Sequence, residues 1–202
     1  MTADHLGMYD RGKLPHRDFA GSIQAVTFRL ADSIPKAVIE KWRRELKISL
    51  ESDQDEIRNQ AHAELRRRIA RHEDLGHGTC ALRDPELAGI VQEALRASHP
   101  EACHLFAWCI MPNHVHVLFR LRESLSMGRL IGGWKGSTSR AINQRRGRSG
   151  PLWQREYFDR AIRDQDHFWR SVRYIHRNPV KAGLCKEPVD WPFSSAGISW
   201  QP

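Results

Sequence analysis

His114-Val115-His116 is the tripeptide with the most chemical content in this chain. In an extended strand, residues i and i+2 point to the same face, roughly 6.6 Å apart along the chain. Two imidazoles held this way can converge on one metal ion while Val115 turns toward a core. The second group is Tyr174, within Arg173-Tyr174-Ile175-His176-Arg177-Asn178. A spacing of four sets Tyr174 and Asn178 on one side of a helix, with Val172 and Ile175 on another. A phenol of pKa about 10 is a poor nucleophile near pH 7. A divalent metal and nearby cations activate such an attack by polarising a phosphate and stabilising its charge. Arg173, Arg177 and Lys135 are candidate cations. Only two other tyrosines exist, Tyr9 and Tyr157. An H-x-H pair also suits a zinc hydrolase acting on small phosphoesters, which needs a further ligand and a general base. Two ordinary histidines on a half-exposed strand are the plainest reading of the pair.

These groups need rigid elements behind them. His114–Leu121 alternates strictly: Val115, Val117, Phe119 and Leu121 take one face, and His114, His116, Leu118 and Arg120 the other. Met111-Pro112-Asn113 before it is turn chemistry. The apolar run from Ala102 to Ile110 reads as a central strand, paired with it in a hairpin. Ile23–Leu30 is the first strand, with Val26 and Phe28 on one face. Helical spacing runs from Pro35 to about Glu73, through Val38, Trp42, Leu46, Ile57, Ala61, Leu65 and Ile69. This charged stretch is expected to be a surface insertion ended by Gly76 and Gly78. Asp84-Pro85 opens the next helix as N-cap and first position. Another helix is expected from near Ser126 to about Gln144, and a strand within Leu152–Ile162. The tyrosine helix is expected to start at Asp164 or Asp166 and to end against Pro179, which disfavours helical geometry at Asn178. The tail, Lys186–Pro202, shows little periodicity.

The 202 residues fit one domain spanning 1–202, with 35–76 as the helical insertion and 186–202 as a C-terminal tail. No apolar run is long enough to cross a membrane. The N-terminus lacks a signal pattern, so a cytoplasmic protein is expected. Cys80, Cys103, Cys109 and Cys185 form no C-x-x-C pair and suggest neither a zinc ribbon nor a disulfide framework. The net charge is +8, a field that favours polyanions. From Ser124 to Arg155 there are seven basic residues (Arg129, Lys135, Arg140, Arg145, Arg146, Arg148, Arg155) and no acidic one.

Met111-Pro112-Asn113-His114-Val115-His116-Val117, followed by Tyr174-x-x-x-Asn178-Pro179, resembles the single-tyrosine HUH (IS200-like) transposases, in particular their REP-associated tyrosine transposase branch. Val26–Leu30, Trp134-Lys135, Gly150–Gln154 and Trp191–Ser195 extend the resemblance, which covers roughly Ser22 to Ala196. It implies an α+β, ferredoxin-like fold with helices packed on an antiparallel sheet. It implies attack by Tyr174 on single-stranded DNA, a 5′-phosphotyrosine link and a free 3′-hydroxyl. It implies Mg²⁺ or Mn²⁺ on His114 and His116, with Asn178 as third ligand where many relatives carry Gln. Imidazole suits Mn²⁺ better than Mg²⁺. The implied substrate is DNA folded into imperfect hairpins, and a monomer is implied in preference to a homodimer. The acid-free stretch fits phosphate contact. Lys135, Arg140, Arg145, Arg146, Arg148 and Arg177 are candidate contacts, with Trp153 and Trp134 as stacking platforms for unpaired bases. A non-catalytic nucleic-acid-binding domain on the same fold is the alternative.

Overall fold

Strand-period segments assemble into one four-stranded sheet. The computed structural model describes residues 21–198, together with the backbone of two short paired strands, β1 (Gly7–Asp10) and β2 (Pro15–Asp18). Tyr9 and Trp200 lie outside the described side chains. The main sheet contains β3 (Ile23–Arg29), β4 (Cys103–Ile110), β5 (His114–Leu121) and β6 (Phe158–Ala161). Its order is β4-β5-β3-β6, antiparallel throughout. Helix α4 (Pro85–Arg96) follows β3 and α5 (Met127–Arg145) follows β5. That chain path, strand-helix-strand-strand-helix-strand, is the ferredoxin-like arrangement.

Both faces of the sheet are covered, and this decides where the chemistry sits. Val26, Phe28, Val115, Val117 and Phe119 pack under α4 and α5, against Leu87, Val91, Leu130, Ile131 and Trp134. The opposite face carries Ala107, Cys109 and Leu118 and is covered by α6 (Gln165–Lys181) through Phe168, Val172 and Ile175. His114 and His116 point to this second face, so they are 1% and 5% exposed rather than displayed on a half-open strand.

The helical stretch after β3 is not continuous. It forms α1 (Lys36–Glu45), α2 (Lys47–Leu50) and α3 (Asp55–Asp74). The main break falls at Glu51–Gln54, where Ser52 accepts from the Gln54 N–H and its carbonyl accepts from Arg58. Such local bonding by short polar side chains competes with the helix ladder. After α3, Gly78 sits at φ +88°, and a Cβ there would lie 2.7 Å from the Asp32 carbonyl oxygen. Only glycine permits that approach, and Thr79 N–H then bonds the Asp32 carboxylate at 2.9 Å. The insertion is thus fastened back onto the end of β3.

Two other expectations are corrected. Helix α6 does not end against Pro179; it continues to Lys181 with Pro179 inside and buried. The extra turn closes in a Schellman cap at Gly183 (φ +69°): Leu184 N–H bonds the Pro179 carbonyl at 2.9 Å and Gly183 N–H bonds Val180 at 3.0 Å. This closure and the burial of Asn178 and Pro179 offset the missing proline donor. The described part of the tail is also ordered by pairing. Ser194 bridges Cys109, Ile110 N–H bonds Phe193, Ser195 N–H bonds Trp108, and Trp191 donates to the Ile110 carbonyl at 2.9 Å. The Trp191–Ser195 segment covers the free edge of β4, a place where an open ladder would invite other chains.

Candidate active site

The two histidines converge through their Nε2 atoms, which lie 3.0 Å apart. Each Nδ1 has its own partner: Asn113 Oδ1 at 2.7 Å for His114, and Thr27 Oγ1 at 2.8 Å for His116. Asn113 is oriented by two bonds from its Nδ2, to the carbonyls of Glu73 (3.2 Å) and His77 (3.1 Å). Its Oδ1 can therefore only accept, so His114 carries its proton on Nδ1 and turns a bare Nε2 lone pair to the site. Thr27 is different, because a hydroxyl both donates and accepts. It supports either tautomer of His116, and with it a shift that frees the second Nε2. Burial holds both imidazoles neutral, with pKa values near 3, to which Arg29 adds for His114 and His114 itself for His116. Neutral imidazole is the metal-binding form.

Helix α6 supplies the other two groups. Asn178 Nδ2 lies 3.1 Å from His116 Nε2, and Asn178 Oδ1 is buried with no hydrogen-bond partner among the described residues. An amide's oxygen and nitrogen exchange places by a half-turn, so the orphaned oxygen belongs naturally beside the histidine pair. Two Nε2 lone pairs and one carbonyl oxygen make a donor set that fits a divalent ion, with nitrogen donors favouring Mn²⁺ over Mg²⁺. Among the described residues no three His, Cys, Asp or Glu side chains cluster as a metal site; the further protein donor beside the pair is this amide. Tyr174 stands one turn before Asn178, its ring edge-on to His116 at 5.4 Å and 44% exposed. Partial burial pushes its phenol up to about 12; Asp74 adds to this, while a hydrogen bond with the Asn178 side chain pulls the other way. The phenol is thus protonated at rest and stands between solvent and the histidine pair.

The insertion completes the surroundings. Glu73, buried at the end of α3, pairs with Arg29 of β3 at 2.8 Å, and Arg29 also donates to Gln154 at 2.7 Å. Asp74 pairs with Lys181 of α6. Thr27, Arg29, Asn113 and Glu73 were missed from the sequence. For the first two a signal existed, since alternation along β3 puts them on the face opposite Val26 and Phe28.

The basic stretch lies elsewhere. Helix α5 covers the sheet face opposite His116 and Tyr174. Trp153 is 6% exposed and donates to Thr138 at 2.9 Å, and Trp134 is equally buried and donates to Ser98. Neither ring is open to a base. Lys135 donates to the carbonyls of Gln154, Arg155 and Glu156 and lies over the Tyr157 ring, so it ties a loop to α5. Arg145 pairs with Glu86. Arg140 on α5 and Arg148 beyond its end are exposed, and Arg146 is half-buried. Arg177 is exposed on α6, one turn after Tyr174. The four cysteines are free; Cys80, Cys103 and Cys109 are buried.

Residues 83–178, which hold both histidines, the tyrosine and the asparagine, match the sequence model of the IS200-like transposases. The resemblance is to those transposases. Two curated relatives are REP-associated. A protein of Haemophilus influenzae provisionally named a REP-associated tyrosine transposase is 30% identical over 115 residues, which is 50% of this chain and 65% of that protein. The REP-associated tyrosine transposase of Escherichia coli is 33% identical over 93 residues, 44% of this chain and 52% of the relative. The chain thus spans less than two thirds of either relative's length. A solved structure of a REP-associated tyrosine transposase bound to a REP hairpin superposes with a TM-score of 0.55 at 19% identity, covering 95% of this chain and 88% of that one. It has the same fold. Among the described residues no helix is long and apolar enough to cross a membrane.

Thr27→Val tests the tautomer relay. The change keeps the side chain's shape and removes the hydroxyl that partners His116 Nδ1. Mn²⁺ affinity by isothermal titration calorimetry is expected to fall about 10–100-fold, as for other groups that orient a ligand. Unchanged affinity would show that the hydroxyl does not set the tautomer.

Proposed function

We propose that this protein cuts and rejoins single strands of hairpin-forming DNA through Tyr174, with a divalent ion held by His114, His116 and Asn178. The observation that carries the reading is the convergence of two neutral imidazoles, an orphaned amide oxygen and a phenol within one turn of α6 and one strand. A bound divalent ion supplies Lewis-acid polarisation of the scissile phosphate. The Tyr174 oxygen forms a bond to phosphorus as the bond from phosphorus to the 3′ oxygen breaks. The phenol gives up its proton and the 3′ oxygen leaves as a hydroxyl, so protons balance. One phosphodiester is exchanged for another, which needs no nucleotide cofactor and leaves the link ready for attack by a second 3′-hydroxyl. The relatives' REP association and the hairpin bound in the solved neighbour support a palindromic DNA substrate, and a monomer is the expected form. Arg140, Arg146 and Arg148 would meet a hairpin stem, and Arg177 the strand beside the nucleophile.

The test uses a hairpin-tipped single strand labelled at either end and incubated with Mn²⁺. A denaturing gel should show a protein–DNA adduct that keeps the 3′ label and loses the 5′ label, and chelator should prevent it. An adduct that keeps the 5′ label, or that forms equally in chelator, would overturn the reading. The non-catalytic alternative predicts hairpin binding with no adduct.

A further inference from the structure

Beside Tyr174 and His116 opens a cleft of about 1190 Å³ that the transposase-like segment alone does not make. Its floor is the uncovered part of the second sheet face, with Ala25 and Thr27 of β3 and Phe158 of β6. One wall is α6, which presents His167, Arg170, Tyr174 and Lys181, three to seven residues apart and so on one helical stripe. The other wall is α3 of the insertion, through Ala63, Arg66, Ala70 and Arg71. The acids in the cleft are both engaged: Glu73 with Arg29 and Asp74 with Lys181. Arg66, Arg71, Arg160 and Arg170 form no ion pair among the described residues. Arg66 lies over the Phe158 ring at 5.6 Å, and its charge is disfavoured first by burial and then by Arg160. Like charges gathered around an apolar floor cost folding energy unless a polyanion is expected there.

We propose that the insertion, which lies outside the transposase-like segment, makes this cleft a track for the unpaired strand flanking the scissile phosphate, with α3 as its outer wall through Arg66 and Arg71. The inference rests on the strand-transfer reading for its location, and on the cleft for its ligand. A single strand suits the lining better than a duplex. Arginines along both rims meet phosphates, while Ala25, the Phe158 ring and the Arg66 guanidinium over it meet base faces. A duplex hides those faces. The track ends at Tyr174, so the flank is drawn across the sheet toward the nucleophile.

The experiment compares two labelled DNA probes by fluorescence anisotropy, in chelator, over a salt series. One is a blunt hairpin and the other is the same hairpin with a single-stranded flank. The variant carries Arg71→Ala, Arg160→Ala and Arg170→Ala, all exposed positions. For the flanked probe, Kd is expected to rise at least tenfold. The slope of log Kd against log salt should fall by about 2, from three contacts at roughly 0.7 each for single strands. The blunt probe should bind as to wild type. Unchanged binding of the flanked probe, or an equal loss for both probes, would overturn the proposal. Adduct formation is scored separately on wild type. Loss of the flank preference in the variant supports the track, and a wild-type adduct supports the strand-transfer reading; wild-type flank binding without any adduct removes that reading and leaves the track standing.

Discussion

Tyr174→Phe is expected to abolish the covalent DNA adduct, with a fall of roughly 10³-fold or more, because no other tyrosine among the described residues lies near the histidines. Tyr157 is buried beneath Lys135 on the other sheet face. His176, two residues on, is tied to Ser195 Oγ at 2.8 Å. The change removes one oxygen from a ring that is 44% exposed, so stability should move by no more than about 0.5 kcal/mol. Hairpin affinity in chelator should stay within twofold, since no phosphate contact is lost. Loss of adduct with retained binding is the signature of a nucleophile. If Tyr174→Phe forms as much adduct as wild type, the tyrosine is a bystander.

The second large effect is expected at His116→Ala. Three donors are available to the ion, and the change removes the one in contact with both others. Mn²⁺ affinity should fall by more than the ~100-fold typical of an orienting group, and adduct formation should fall with it at any practical metal concentration. The fold should survive. Because the ion binds only the folded chain, Mn²⁺ at about 100 times its Kd should stabilise wild type by about 2.7 kcal/mol. It should leave His116→Ala unmoved in the same thermal melt. Equal stabilisation of both proteins by Mn²⁺ would place the ion elsewhere and sink the assignment.

How these groups come together was readable to different depths. Period-two alternation is a local property, so His114–Leu121 and the shared face of its histidines follow from the chain alone. Helical spacing likewise joins Tyr174 to Asn178. Asp84-Pro85 carries its own start signal, and the side chain accepts from Glu86 N–H as an N-cap should. The break at Glu51–Gln54 and the passage of α6 through Pro179 were not readable in the same way. At the break, local bonding around Ser52 replaced the helix ladder; at Pro179, burial and the cap at Gly183 overrode the local preference. The basic stretch shows the same limit. Seven cations without an acid look like one surface, but the tertiary path sends Lys135 inward to three carbonyls and pairs Arg145 with Glu86.

By itself, then, the sequence determined that His114 and His116 share a strand face, that Tyr174 and Asn178 share a helix side, and the strands and helices that carry them, because each depends only on spacing within one element. The tertiary structure alone decided what surrounds them. It buried the histidines under α6, chose Asn113 and Thr27 to orient them, and set α3 beside the nucleophile with arginines the charge pattern had assigned to solvent. Apart from Asn113 beside His114, those relations join distant residues, Thr27 to His116 across 89 positions and Asp74 to Lys181 across 107, and only packing brings such positions together.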